Sequence, residues 1–93
     1  MALWTVIADY RGGTYISQAR AAGVTQALKQ WAKSFPQVKG SFVGAKTRQK
    51  LMGAVCDDEA KPVPIETVRN VWYWSHFALR PRFVVHLVKT SSK

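Results

Sequence analysis

The chain has 93 residues, which is enough for one domain with a single core and too few for two. Hydrophobic residues make up 47% and charged residues 20% of it, a balance that is typical of a folded globular protein and excludes a disordered one. Lys and Arg outnumber Asp and Glu by 14 to 5, so the formal net charge of +9 favours contact with anionic partners such as nucleic acid.

The first strands are predicted over residues 3–10 and 14–20, as a hairpin around Gly12-Gly13. A two-residue turn pairs Tyr10 with Tyr15, and a three-residue turn that includes Arg11 shifts this register. In the first register, one face has room for a helix and carries Trp4, Val6, Ala8, Tyr10, Tyr15 and Ala19. The other face is mixed in polarity and carries Thr5, Ile7, Asp9, Ile16, Gln18 and Arg20.

A helix is predicted over residues 24–35, since apolar side chains recur there with helical spacing. Gly23 or Thr25 can cap its start, and Pro36 ends it. A second helix is predicted from Ser41 to about Ala54, with a poor apolar pattern because residues 46–50 are polar throughout. Residues 57–64 are predicted to form an extended loop that contains two prolines.

The last two strands, residues 71–77 and 83–88, are apolar or aromatic on both faces. A loop over residues 78–82 pairs Phe77 with Phe83, whereas a loop of four residues mixes the two faces. In the first register the inner face carries Tyr73, Phe77, Phe83, Val85 and Leu87. The outer face still needs a cover, which we expect to be a second copy or else the middle segment of the same chain; its residues are Trp72, Trp74, His76 and His86.

Together these elements predict a single α+β domain over residues 1–93, of order ββα(α)ββ, with a frayed polar tail at about 90–93. The antiparallel sheet is packed on one face by helix 24–35, and the strand order stays open. Cys56 is the only cysteine and suits a reducing compartment. The N-terminus lacks a basic signal-peptide region, and no apolar run approaches the roughly 20 residues of a membrane span. We therefore expect a cytoplasmic protein without a membrane partner.

Sequence motifs favour a protein that is not an enzyme. His76 and His86 are predicted to be neighbours on one face, but no third metal ligand is evident near them in sequence. The acids 57–59 directly after Cys56 disfavour a reactive thiolate. Neither a phosphate-binding loop nor a nucleophile elbow occurs. We expect no catalytic residue, no metal and no cofactor.

Two groups of basic residues favour an alternative function, contact with the backbone of RNA or DNA. The first group lies in the middle segment, where Lys46 and Lys50 are expected to share one helical face. The second flanks Pro81 at the tip of the last hairpin. The candidate nucleic-acid-binding residues are Lys46, Arg48, Lys50, Arg80 and Arg82.

The N-terminal third resembles the opening of HicB-type antitoxin domains. The resemblance is carried by residues 4–10 (WTVIADY), 12–17 (GGTYIS) and 25–28 (TQAL). It implies a small α+β sheet that binds an RNA-cleaving toxin and often oligomerises. The chain departs from the family at residues 18–23, where a Pro-Asp-x-Pro-Gly-Cys-like segment is usual, so no functional residue is transferred. The chain as a whole looks like small bacterial proteins, and we expect a non-catalytic interaction domain that forms a homo-oligomer.

Overall fold

The computed structural model of the chain describes residues 1–35, 45–79 and 82–91. They form a single α+β domain, as predicted, with one additional short strand. The elements in chain order are β1 (Ala2–Tyr10), β2 (Gly13–Ala21), α1 (Val24–Ser34), α2 (Ala45–Val55), β3 (Val63–Pro64), β4 (Val71–Trp74) and β5 (Val84–Ser91).

The five strands form one antiparallel sheet in the order β2-β1-β5-β4-β3. The first and last strands of the chain are therefore neighbours at its centre. Side chains of a strand alternate between the two faces of the sheet, and directly paired residues share a face. Helix α1 packs on one of these faces and α2 packs against α1 within the same hydrophobic core, so the domain has two layers.

The first hairpin turns at Arg11 and Gly12, both of which have positive φ (51° and 79°), as two-residue hairpin loops require. Tyr10 pairs with Gly13 and Ala8 with Tyr15, so the predicted Tyr10–Tyr15 pair is wrong by two residues. A shift of two residues preserves the faces of a strand. The predicted inner face of the hairpin is therefore confirmed.

Helix α1 covers that face, as its apolar spacing predicts. Gly23 is its N-cap and Phe35 its C-cap, while Pro36 lies outside the described residues. The small side chain of Ala8 lets the helix approach the sheet, and Trp4 ties the end of β2 by donating from Nε1 to the carbonyl of Ala21 at 3.2 Å. The buried residues of the helix are Ala27, Leu28, Trp31 and Ala32.

An aromatic cluster fills the core between α1 and the sheet. Tyr10 stacks on Phe83 with ring centroids 4.1 Å apart, and Phe35 meets both rings edge to face. Trp31 contacts Phe83 and Trp74, also edge to face. Such pairs contribute about 0.5–1.5 kcal/mol each beyond the area they bury. The predicted core positions Phe83, Val85 and Leu87 are buried, as expected.

Helix α2 completes the helical layer beside α1. It begins at Ala45, and the predicted start at Ser41 lies outside the described residues. Leu51, Ala54 and Val55 join the core. The poor apolar pattern of this helix therefore reflects a short contact surface at its C-terminal end.

The second half of the sheet differs most from prediction. Strand β3 was expected to be loop, and β4 ends at Trp74 rather than Phe77. Phe77, predicted to be a core residue, is 78% exposed and stacks on the ring of His76. Strand β5 runs to Ser91, two residues into the predicted tail, while residues 92–93 lie outside the description.

Candidate functional site

The sheet has a second face that no described helix covers. Because Trp4, Val6, Ala8 and Tyr10 point to the helices, the alternate residues of β1 point away from them. We call this surface the open sheet face. It consists of Leu3, Thr5, Ile7, Asp9, Thr14, Ile16, Gln18, Arg20, Val63, Val71, Tyr73, Val84, His86, Val88 and Thr90.

One cross-strand row of the open sheet face spans all five strands. It runs from Ile16 through Ile7, His86 and Tyr73 to Val63, each residue paired directly with the next. The rings of Tyr73 and His86 meet at 60° with centroids 5.7 Å apart. Ile16 and Val63, at the two ends, are 65% and 59% exposed. The row is a continuous, largely apolar strip on the surface.

Charge is nearly absent from the open sheet face. Asp9 and Arg20 are its only Asp, Glu, Lys or Arg residues, and both lie near the ends of strands rather than in the middle. Asp9 accepts a hydrogen bond from the Thr14 hydroxyl at 2.6 Å. A surface that combines apolar side chains with few charges has the composition of the centre of a protein interface.

The outer face predicted for the last hairpin is wrong, because its register differs. Trp72 pairs with Leu87 and Trp74 with Val85, so both tryptophans point to the helices. Trp74 is buried, and Trp72 packs on Trp4 with ring centroids 5.1 Å apart. The alternative, a cover from the middle segment, is what the structure contains: Trp74 donates from Nε1 to the Ala60 carbonyl at 2.7 Å.

The two histidines lie in different places rather than on one face. His86 is half-buried in the open sheet face, whereas His76 is buried in the loop after β4. His76 Nε2 lies 2.9 Å from Asp57 Oδ2, and the Ala78 amide donates to His76 Nδ1 at 3.0 Å. The imidazole thus accepts at Nδ1 and donates at Nε2 to the carboxylate. Both ring nitrogens are therefore engaged, and the pair joins the loop after α2 to the loop after β4.

This pair makes stability depend on the ionisation of Asp57. The hydrogen bond from His76, with a second from the Glu59 amide, lowers the pKa of the Asp57 carboxyl. A carboxyl whose pKa is lower in the folded than in the unfolded state contributes stability above the ordinary carboxyl range, near pH 4, and that stability is lost as pH falls through the folded pKa.

We therefore expect Asp57→Asn to destabilise the protein at pH 6 and to have a smaller effect at pH 3. Urea unfolding of both proteins at the two pH values measures this difference. Asp58→Asn, which removes the neighbouring exposed carboxylate, is the control and should retain the wild-type pH dependence. Equal destabilisation by Asp57→Asn at both pH values would contradict the assignment.

The predicted nucleic-acid-binding residues are only partly brought together. Lys46, Arg48 and Lys50 are exposed on α2, and Arg82 is exposed just before β5. Arg80 lies outside the described residues. The structure adds Lys29 and Lys33, exposed on α1. Their four-residue spacing on the polar face of the predicted helix was the sequence signal for them.

The residues of the open sheet face were missed because the sequence does not mark them as a set. The polarity pattern places Ile7 and Ile16 on a face of mixed polarity, and the predicted register of the last hairpin places Tyr73 in the core. The available sequence signal was that Ile7 and Ile16 are apolar although they alternate with the buried positions of the hairpin, which makes the hairpin apolar on both faces there. Only the strand order, which puts β5 beside β1, joins them to His86 and Tyr73.

Other chemical groups form no recognisable site. Within the ranges that the structure describes, no three His, Cys, Asp or Glu side chains are grouped so that they could hold a metal ion. Cys56 is exposed. Among the same residues, no helix has the length and apolar character needed to cross a membrane.

Comparison with known proteins adds no relative. No protein-family model, curated protein or solved structure matches this chain. The resemblance to HicB-type antitoxin domains therefore stays a prediction.

Proposed function

We propose that this chain is a small, basic, cytoplasmic interaction domain without catalytic activity, which self-associates through the open sheet face. The observation that carries the proposal is the row Ile16–Ile7–His86–Tyr73–Val63, which crosses the entire sheet and which neither described helix covers. The cytoplasmic setting is supported by the single cysteine.

A second copy is the occupant that the charges favour. Each copy carries a net charge of +9, so copies repel each other wherever cationic surfaces meet. Of the Lys and Arg residues that the structure describes, Arg20 alone belongs to the open sheet face. Two copies can therefore bring these faces together with little opposition of like charge.

The size of the open sheet face supports a dimer of modest affinity. The five strands contain 32 residues in all, and at about 3.3 Å along the strand by about 4.8 Å between strands each, they give a footprint of about 500 Å². Specific interfaces bury about 800 Å² per partner, and weak or transient ones less. We expect association in the micromolar range.

Replacing Ile7 by Lys should weaken this association at least tenfold, because it places a charge in the middle of each face and opposes two charges in the dimer. Analytical ultracentrifugation across micromolar concentrations is the measurement. Val68→Lys is the matched control, since Val68 is 50% exposed in a turn outside the open sheet face. Val63→Lys, at a more exposed position of the face, serves if Ile7→Lys unfolds.

A wild-type protein that stays monomeric at these concentrations would remove the proposal. The proposal would also be removed if the Val63→Lys variant, the Val68→Lys variant and the wild type all associated with equal affinity. Thermal unfolding of each variant checks that a loss of association is not a loss of fold.

Binding to the backbone of RNA or DNA is a second candidate function, favoured by the charge of the helical layer. The two helices carry five cations and no acidic residue. None of the five forms an ion pair within the described ranges. They are Lys29, Lys33, Lys46, Arg48 and Lys50. A surface of one sign without counter-charges attracts phosphates, and titration with mixed-sequence RNA and DNA at low salt tests it.

A further inference from the structure

Strand β2 lies at one edge of the sheet, and none of the strands that the structure describes pairs with its outer side, which is nine residues long. In a two-residue hairpin, the residues that flank the turn exchange both backbone hydrogen bonds, and every second pair after them does the same. Gly13, Tyr15 and Ser17 therefore bond to β1. The amides and carbonyls of Thr14, Ile16 and Gln18 point out of the sheet.

Among the residues that the structure describes, none is a backbone partner of these three outward residues. Within the described ranges, the backbone hydrogen bonds outside regular elements lie at the start of α1, in the turn after α2 and in the loops around β3 and β4, and none reaches Thr14, Ile16 or Gln18. Six strong hydrogen-bonding groups are thus presented in a row. The spacing of these amides and carbonyls along β2 matches that of the hydrogen-bonding groups on a second extended strand.

The edge also lacks the features that normally protect such strands. Proteins protect exposed edges with prolines, bulges, short strands or several charges. Strand β2 contains no proline, pairs with β1 without a register shift, and has Arg20 as its only charged residue. At the opposite edge of the sheet, β3 is two residues long and includes Pro64, so it is protected.

We propose that the edge of β2 pairs antiparallel with β2 of a second copy, centred on Ile16, so that two sheets become one of ten strands. This pairing rests on the proposed function, because self-association is the reason for choosing a second copy as the partner strand. The strand is complementary to itself about this centre. Ile16 lies opposite Ile16, and Thr14 lies opposite Gln18, so apolar meets apolar and polar meets polar. Arg20 then lies beyond the paired segment and does not oppose its own copy.

The two contacts are geometrically compatible. The twofold axis of edge pairing is perpendicular to the sheet, so both open sheet faces stay on the same side and join into one surface of roughly 1,000 Å². The twofold axis of face packing lies parallel to the sheet. Perpendicular twofold axes generate a closed tetramer with D2 symmetry. Edge pairing therefore doubles the apolar surface available to face packing.

Amide hydrogen exchange measured by NMR, with uniformly labelled full-length protein, tests the pairing directly. At high protein concentration, the amides of Thr14, Ile16 and Gln18 should exchange at least tenfold more slowly than after dilution to the monomer. The Ser17 amide, which bonds to β1, should be protected at both concentrations and is the internal control.

Gln18→Pro removes one outward amide and should convert the tetramer into a face-packed dimer, because proline is tolerated on an edge strand whose amide points to solvent. Ile7→Lys should leave an edge-paired dimer in which Thr14 and Ile16 stay protected. If Gln18→Pro does not fold, the exchange measurement on the wild type still shows whether the edge of β2 is paired.

Three results separate the two proposals. Wild-type dimers with fast exchange at Thr14, Ile16 and Gln18 would overturn edge pairing and leave face packing intact. Dimers with slow exchange that Ile7→Lys does not affect would support edge pairing and overturn the open sheet face as an interface. A monomer at every concentration would overturn both.

Discussion

Trp74→Phe should lower the free energy of unfolding by about 1–3 kcal/mol more than Trp31→Phe does. Both tryptophans are fully buried and their rings lie 6.5 Å apart in the same aromatic cluster. Each substitution removes the same atoms, so the loss of apolar contact is similar in the two variants. The indole nitrogens, however, differ.

Trp74 donates from Nε1 to the Ala60 carbonyl at 2.7 Å, so Phe at this position leaves that partly buried oxygen without its donor. Trp31 Nε1 is buried and has no hydrogen-bond partner in the part of the chain that the structure describes. Phe at position 31 therefore removes an unsatisfied group, which offsets part of the loss of packing. An unpaired buried donor costs about 1–3 kcal/mol, and this sets the size of the expected difference.

Urea unfolding of the two variants, followed by circular dichroism, gives the two free energies of unfolding. The slope of each transition shows whether both variants expose the same amount of surface when they unfold. Equal destabilisation would mean that the Ala60 bond contributes nothing to stability. Greater destabilisation by Trp31→Phe would mean that the indole of Trp31 has a partner in solution.

Lys46→Gln combined with Lys50→Gln should reduce the salt dependence of nucleic-acid binding. If both side chains contact phosphates of a duplex, the slope of log affinity against log salt becomes shallower by about 1.8, since each contact contributes roughly 0.9. Between 50 and 200 mM salt, this change corresponds to a loss of affinity about 12-fold smaller than in the wild type. Glutamine retains a high helix propensity, so α2 should be preserved.

Lys61→Gln combined with Arg69→Gln is the control for this pair. It lowers the net charge by the same two units, but both residues are exposed in loops outside the helical layer. The control should change the slope much less. Identical slopes for the two double variants would show that only net charge matters, and undetectable binding of the wild type at low salt would remove this candidate function.

Salt also distinguishes the two candidate functions in the same sample. Copies that each carry +9 repel one another, and salt screens this repulsion, so self-association through an apolar face should strengthen as salt increases. Binding to phosphates should weaken over the same range. Sedimentation and nucleic-acid titration at matched salt concentrations measure both trends.

The sequence predicted the N-terminal half of the fold well because its signals are local. Helix α1 has a clear apolar stripe, and Gly12 marks the first turn. The turn itself begins one residue earlier than expected, since Arg11 adopts the positive φ that a glycine usually takes. This error moved the register by two residues and left both faces correct, which is why α1 was placed on the right side of the sheet.

The C-terminal half could not be predicted in the same way, because its strands are apolar on both faces. Alternation normally fixes the register of a strand, and here there was little alternation to read. The loop after β4 is longer than expected because His76 organises it: the Ala78 amide donates to its ring and the Leu79 amide to its carbonyl. Leu79 is buried in consequence, while Phe77 is turned out to solvent.

The candidate site depends on strand order, which local patterns do not contain. Ile7 and His86 are 79 positions apart in the chain and become neighbours only through the β1–β5 pairing. The helical lysines, in contrast, were visible as polar positions of two predicted helices. The charged surface could therefore be foreseen from the sequence, and the apolar one could not.

The central position of β1 and β5 has a consequence for synthesis of the chain. The first hairpin and α1 lie within residues 1–35 and can form from local contacts. The inner edge of β1 gains its neighbour only when residues 84–91 have been made. Folding is slow because the chain loses conformational entropy when it closes so long a loop, before the β1–β5 contacts form and offset that loss. Until that strand has been made, Trp4, Val6 and Ala8 have an incomplete cover and β1 offers a second unpaired edge, so the nascent chain is most open to wrong strand partners before residues 84–91 join the sheet.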